Sequence, residues 1–200
     1  MSSIKLKHSG GNSVIIAAPD SNPASDRTLK LPSNADGTVL TTTNPKSGNI
    51  IQVVSTTKTD AFSTTSTSYT DITGLSINIT PSSSSNKVLV DFVIACGNNA
   101  STQNRFQLVR QVSSSDTVIN PSAMDSSTAM FAVEAEDNNN NYSRAQVIYR
   151  FLDSPSTTSQ VNYRLRTLMF SSSYTQYVNR AAFSTNTIGS STLTAQEVAA

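Results

Sequence analysis

Reactive and charged side chains are scarce in this chain. One cysteine and one histidine stand among 200 residues, charged residues make up 14%, and the formal net charge is +1. A single Cys96 excludes an internal disulfide framework of the kind that holds small secreted domains. Set in an apolar run, it reads as a small buried hydrophobe. His8 lies in a polar N-terminal stretch, and weak strands are a poor place to hold the general base of a Ser-His-Asp triad. One Cys and one His far apart in sequence do not make a zinc site. Without a basic stripe there is nothing to neutralise phosphates, which argues against a nucleic-acid partner. No run approaches the roughly 20 apolar residues of a membrane-spanning helix, so no membrane insertion is expected. The start, MSSIKLKHSGG, has no apolar core of a secretory signal, and the expectation is a soluble protein made in a cytosol.

What fills the chain is hydroxyl and amide side chains, with 36% hydrophobic residues. Disordered chains combine high net charge with few β-branched residues. Here Val, Ile and Thr alternate in short runs, as in polar-rich strands separated by Ser/Thr/Asn turns. Oxygen donors gather at Glu134, Glu136, Asp137 and Asn138 to Asn141, but their spacing matches no known calcium loop, and a solvated hairpin tip is the better reading. Asp91, Glu134 and Asp153 are among several acids that a glycosidase would need in pairs, and nothing in the sequence pairs them. No enzyme, metal or cofactor is expected.

The first 40 residues hold short alternating pieces: Ile4 to Lys7, Val14 to Ala18, Thr28 to Leu31 and Thr38 to Leu40. Gly10-Gly11-Asn12 and Asp36-Gly37 supply turns between them. Apolar residues are too few there for an independent core, so this segment is expected to trimerise or dock on something else. Thr41 to Gly48 reads as a linker. The boundary falls near Lys46–Asn49, giving 1–48 as an N-terminal β segment and 49–200 as a second domain. From Ile50 onward, roughly eight or nine strands at intervals of about 10–15 residues predict an all-β, antiparallel β-sandwich or jelly roll.

Lys87 to Cys96, KVLVDFVIAC, organises that domain. As a strand it points Val88, Val90, Phe92, Ile94 and Cys96 one way, and Leu89, Asp91, Val93 and Ala95 the other. Both faces need cover. The strand ending Leu75-Ser76-Ile77-Asn78-Ile79 is expected to be its antiparallel partner across the Pro81–Ser85 turn. Tyr149 and Tyr163 share the core phase. Tyr142, Tyr174 and Tyr177 lie in or near polar loops and, with Arg144, are candidates for surface recognition of a sugar. Arg150, Arg164 and Arg166 stand on the opposite phase, either in water or paired with carboxylates across a subunit interface.

Residues 1 to 40 resemble the N-terminal segment of bacteriophage tail-fibre proteins, especially those of marine and cyanobacterial phages. The resemblance rests on Ile4-Lys5-Leu6-Lys7-His8, Asn12-Ser13-Val14, Ala18-Pro19-Asp20 with Asn22-Pro23, and Thr28-Leu29-Lys30-Leu31-Pro32 running to Asp36-Gly37-Thr38. Ser68-Tyr69-Thr70-Asp71-Ile72-Thr73-Gly74-Leu75, Ile79-Thr80-Pro81, Lys87-Val88-Leu89-Val90 and the closing Ser191 to Val198 are similar to a β domain that recurs in phage fibres. The resemblance implies a homotrimeric virion fibre, made in the host bacterial cytoplasm. Residues 1–48 would attach to tail or capsid proteins, and the C-terminal knob would meet the host surface, with a surface glycan as the partner to expect. A capsid or tail decoration protein without host contact is the alternative, and a polysaccharide depolymerase tip a further one. The threefold axis would cover the second face of the central strand, making Leu89, Asp91, Val93 and Ala95 the candidate trimer interface. There Asp91 is expected to meet an Arg or to line a wet channel.

Overall fold

A computed structural model describes residues 3–7, 9–11, 13–17, 45–100, 103–119, 131–134, 145–181 and 189–200. Among these residues the chain is all strand and turn. Two compact units divide it, Met1–Val39 and Leu40–Ala200. In the first, β1 (Ser3–Lys7) and β2 (Ser13–Ala17) form an antiparallel hairpin with Lys7 opposite Ser13, and Gly11 takes a φ of 98° in the turn. The pieces expected at Thr28–Leu31 and Thr38–Leu40 lie outside the described residues.

The second unit is a β-sandwich. Its strands are β3 (Ile50–Lys58), β4 (Phe62–Thr64), β5 (Thr70–Ile79), β6 (Lys87–Asn98), β7 (Gln103–Val112), β8 (Ser115–Ile119), β9 (Phe131–Glu134), β10 (Ala145–Asp153), β11 (Val161–Leu168), β12 (Gln176–Val178) and β13 (Ser191–Val198). In the front sheet, β6 is central. β10 pairs along one edge of it, and β13 then β12 share the other; β3 extends the sheet from β13 and β4 from β12. In the back sheet, β11 lies between β5 and β7, and β7 continues to β8 and β9.

The period-2 pattern explains the packing. Val88, Val90, Phe92, Ile94 and Cys96 of β6 meet Leu75, Ile77, Ile79, Phe106, Leu108 and Leu165 of the back sheet in one core. Strand β6 was expected to pair with β5. Instead the two lie in opposite sheets, and their apolar faces oppose each other across the core. The connecting turn makes the crossing because it is anchored from elsewhere. Buried Glu197 on β13 accepts hydrogen bonds from Ser82 N (2.6 Å), Ser82 Oγ (2.8 Å) and Asn86 Nδ2 (2.7 Å) through its Oε1. Those bonds compensate a buried carboxylate.

A second polar tie joins the sheets at the same end. Asp153, which closes β10, accepts two bonds from Arg110 Nη1 (2.7 and 3.0 Å) and one from Tyr163 Oη (2.6 Å). Burial, then the Asp153 carboxylate beside it, push the Tyr163 phenol far up from its ordinary pKa, so it remains a donor. β5 carries a wide bulge: Ser76 opposes Arg164 and Asp71 opposes Arg166, so only Leu165 spans residues 72–75. Gly74 sits in that bulge at a φ of 89°, where a side chain would be strained.

Candidate functional site

The outer face of the back sheet carries an ionic lattice. Arg164 reaches Asp71 Oδ1 with Nε (3.2 Å) and Asp116 Oδ2 with Nη2 (2.5 Å). Arg166 bonds the same two oxygens with Nε (2.5 Å) and Nη2 (2.8 Å). β5, β8 and β11 thus bring two acids and two bases together. Both arginines pair with carboxylates of their own chain, an arrangement outside the two alternatives read from the sequence, water or a subunit interface. The Arg164 bond holds the Asp116 carboxyl below its ordinary pKa, with bonds from Gln111 and Arg166 adding to it. Val109, aligned with Arg164 in the ladder, is fully buried on this face although its neighbours are polar.

Beside the lattice opens a cleft of about 600 Å³. Asp71 and Arg164 stand in its wall, with the amides of Asn78, Gln111, Gln160 and Asn162. Asn162 Nδ2 donates to Asn78 Oδ1 and to Ser76 Oγ, both at 2.8 Å, which fixes its orientation. Three serines complete the rim: Ser159, and Ser113 and Ser114 of the β7–β8 hairpin. That hairpin has a two-residue loop with φ of 47° at Ser113 and 70° at Ser114. Asn-Gly is the usual choice where both residues need positive φ. Serine at both positions stores strain of order 1–3 kcal/mol each.

The outer face of the front sheet has a different character. In register across β10, β6, β13 and β3, one row reads Ile148, Val93, Thr192, Thr57. The next reads Arg150, Asp91, Thr194, Ser55, and the third Leu152, Leu89, Gln196, Val53. A short fourth row holds Lys87, Val198 and Ile50. Ile148 is 69% exposed, Val53 58%, Ile50 53% and Leu152 47%, half of the exposed large hydrophobics among the described residues. Exposed apolar side chains clustered in register on one sheet face mark an interaction surface more than scattered ones do.

Leu89, Asp91 and Val93, singled out from the sequence, are half-buried on this face. Asp91 accepts a bond from Gln196 Nε2 at 3.3 Å, with Arg150 opposite it in the ladder. Ala95 is different: it is 5% exposed, its N donates to Ser191 Oγ and its O accepts from Asn179 N. The chain itself therefore covers Ala95. Tyr174 is exposed and stacks on Phe170, ring centroids 5.4 Å apart. Tyr177, expected near the surface, is only 9% exposed, because β12 lies between β6 and β4 and the Arg180 guanidinium sits 4.8 Å over its ring. Tyr142 and Arg144 lie outside the described residues, as do His8, Glu136, Asp137 and Asn138 to Asn141.

Cys96 faces the core at 0% exposure, and burial pushes its thiol from 9.0 up to about 12. Because thiolate is the reactive form, ionisation alone is expected to slow labelling at pH 8 by about a thousandfold in the native protein relative to the denatured chain. Kinetics with a chromogenic disulfide check this, and labelling at the denatured rate would mean that β6 opens freely.

The class defined by these features is an all-β sandwich with one mixed outer face that exposes apolar side chains and one polar outer face. No family model matches the chain, and no curated protein matches it. Among solved structures it is similar to two of infectious bursal disease virus. With the Gx strain it shares 13% identity at a TM-score of 0.37, covering 94% of this chain and 46% of that one. With the Gt strain it shares 13% identity at a TM-score of 0.38, covering 95% and 46%. The chain thus spans under half the length of each, and at this level the likeness assigns no function.

Proposed function

We propose that the protein is a non-enzymatic structural component of a phage virion, a homotrimeric fibre whose β-sandwich meets the host surface. One observation carries the self-association: the front sheet leaves Ile50, Val53, Ile148 and Leu152 exposed around half-buried Leu89 and Val93. Copies of the same chain suit this face because its second row places Arg150 beside Asp91, with Lys87 apart from them in the fourth. A symmetry-related copy brings the same two charges, so each acid meets a base without a foreign partner. Burying each large side chain contributes roughly 1.5–3 kcal/mol before entropy. The polar lattice face then turns outward, and three copies convert weak surface contacts into firm attachment. Asp71, the carboxylate in the cleft, is engaged by two guanidinium groups, which supports adhesion over glycoside cleavage.

Mass in solution tests the assembly. Light scattering at micromolar concentration is expected to give three times the 21.3 kDa of one chain, and a monomer there would overturn the fibre reading. Attachment is tested separately, by binding of the purified chain to bacterial envelope preparations.

A further inference from the structure

We propose that the back-sheet cleft binds a neutral saccharide. The lattice in its wall is the first argument. Arg164 and Arg166 are matched by Asp71 and Asp116, so the site offers no net charge to an anion or a cation. The rest of the wall is made of amides and hydroxyls, groups that donate and accept at once: Asn78, Gln111, Gln160 and Asn162, with Ser113 and Ser114 at the rim. Their complement is a ligand whose every substituent also donates and accepts, and a pyranose ring of hydroxyls is that ligand. No aromatic ring lines the cleft among the described residues, which disfavours flat heterocycles and lipid tails. Its volume of about 600 Å³ falls in the range of small-molecule sites and accommodates roughly two or three sugar rings.

The strained hairpin supplies an independent pointer. Ser113 and Ser114 keep hydroxyls at the cleft rim at φ values of 47° and 70°, where Asn-Gly would relieve the backbone. Without a stacking platform, binding depends on hydrogen bonds of modest net strength, and an affinity on the order of millimolar follows for one cleft. The assignment rests on the adhesion reading for its role on the particle, since three outward clefts make such an affinity useful.

The test is a titration of the full ¹⁵N-labelled chain with neutral gluco-, galacto-, manno- and N-acetylhexosamine oligosaccharides, with sialyllactose as the charged comparison. Saturable shifts are expected in the side-chain amide signals of Gln111, Gln160 and Asn162 with at least one neutral sugar, and weaker ones with the charged sugar. The double variant Ser114→Gly/Gln160→Ala is expected to retain or raise the denaturation midpoint, because Gly relieves the positive φ, while weakening binding by about tenfold. No saturable shift with any neutral sugar overturns the proposal, as does a variant that binds as well as the parent or a preference for the charged sugar. A trimer that attaches to envelopes but gives a blank titration removes the cleft and leaves the fibre standing. A monomer that binds sugar does the reverse.

Discussion

Asp153→Ala is expected to destabilise the protein by about 3 kcal/mol and lower its melting temperature by about 10 °C. Three bonds converge on this one carboxylate, two from Arg110 and one from Tyr163. Removing it leaves a guanidinium whose side chain is 19% exposed and a phenol that is fully buried, both without their acceptor. Breaking a wholly buried ion pair from one side costs about 3–5 kcal/mol. Partial solvent access to Arg110, and its remaining bond to Ser154 O at 3.3 Å, put the loss at the lower end. The tie also joins β10 of the front sheet to β7 and β11 of the back sheet, so the loss falls on the contact between layers. Asp153→Asn retains an acceptor for Tyr163 but not the charge, and about half the effect is expected. Urea denaturation at fixed protomer concentration measures both, since association would otherwise shift the midpoint. A change below about 0.5 kcal/mol for Asp153→Ala would place the residue with ordinary surface positions.

That carboxylate was visible in the sequence in one respect. Asp153 continues the phase of Val147, Tyr149 and Phe151, and Arg110 shares the phase of Phe106, Leu108 and Val112. Two opposite charges on core phases are a sign of a buried pair, although only the fold shows that they meet. Glu197 follows Leu193 and Ala195 in the same way. The all-β class, the central strand and its two faces were legible because period 2 is a local property. Pairing was not. The ladder partners of β6 are β10, β12 and β13, all much later in the chain, whereas sequence proximity favoured β5. The cleft was illegible for a similar reason. Its wall comes from β5, β7, β11, the β7–β8 turn and the loop before β11, and serines and amides are commonplace throughout this chain. Tyr177 was misplaced because a three-residue strand leaves no alternation to read, and all three residues of β12 are buried.

Ile148→Lys combined with Leu152→Lys is expected to convert the proposed trimer to monomer, raising its dissociation constant by more than about a hundredfold. Both side chains are largely open in the single chain, at 69% and 47% exposure, and lie in register with Val93 and Leu89. In an isolated protomer two exposed lysines change stability by about 0.5 kcal/mol or less each. Across a packed interface each brings a charge with no counter-charge, because Asp91 is already flanked by Arg150 and Gln196. Symmetry multiplies the effect, since every copy carries the same two charges at every interface. The two situations therefore separate by orders of magnitude in one measurement. Sedimentation of parent and variant at equal concentration decides between them: a variant that keeps the parent's mass would show that the front face is not where the copies meet. A monomeric variant that still gives the saccharide shifts would place assembly and recognition on opposite faces of the same sandwich.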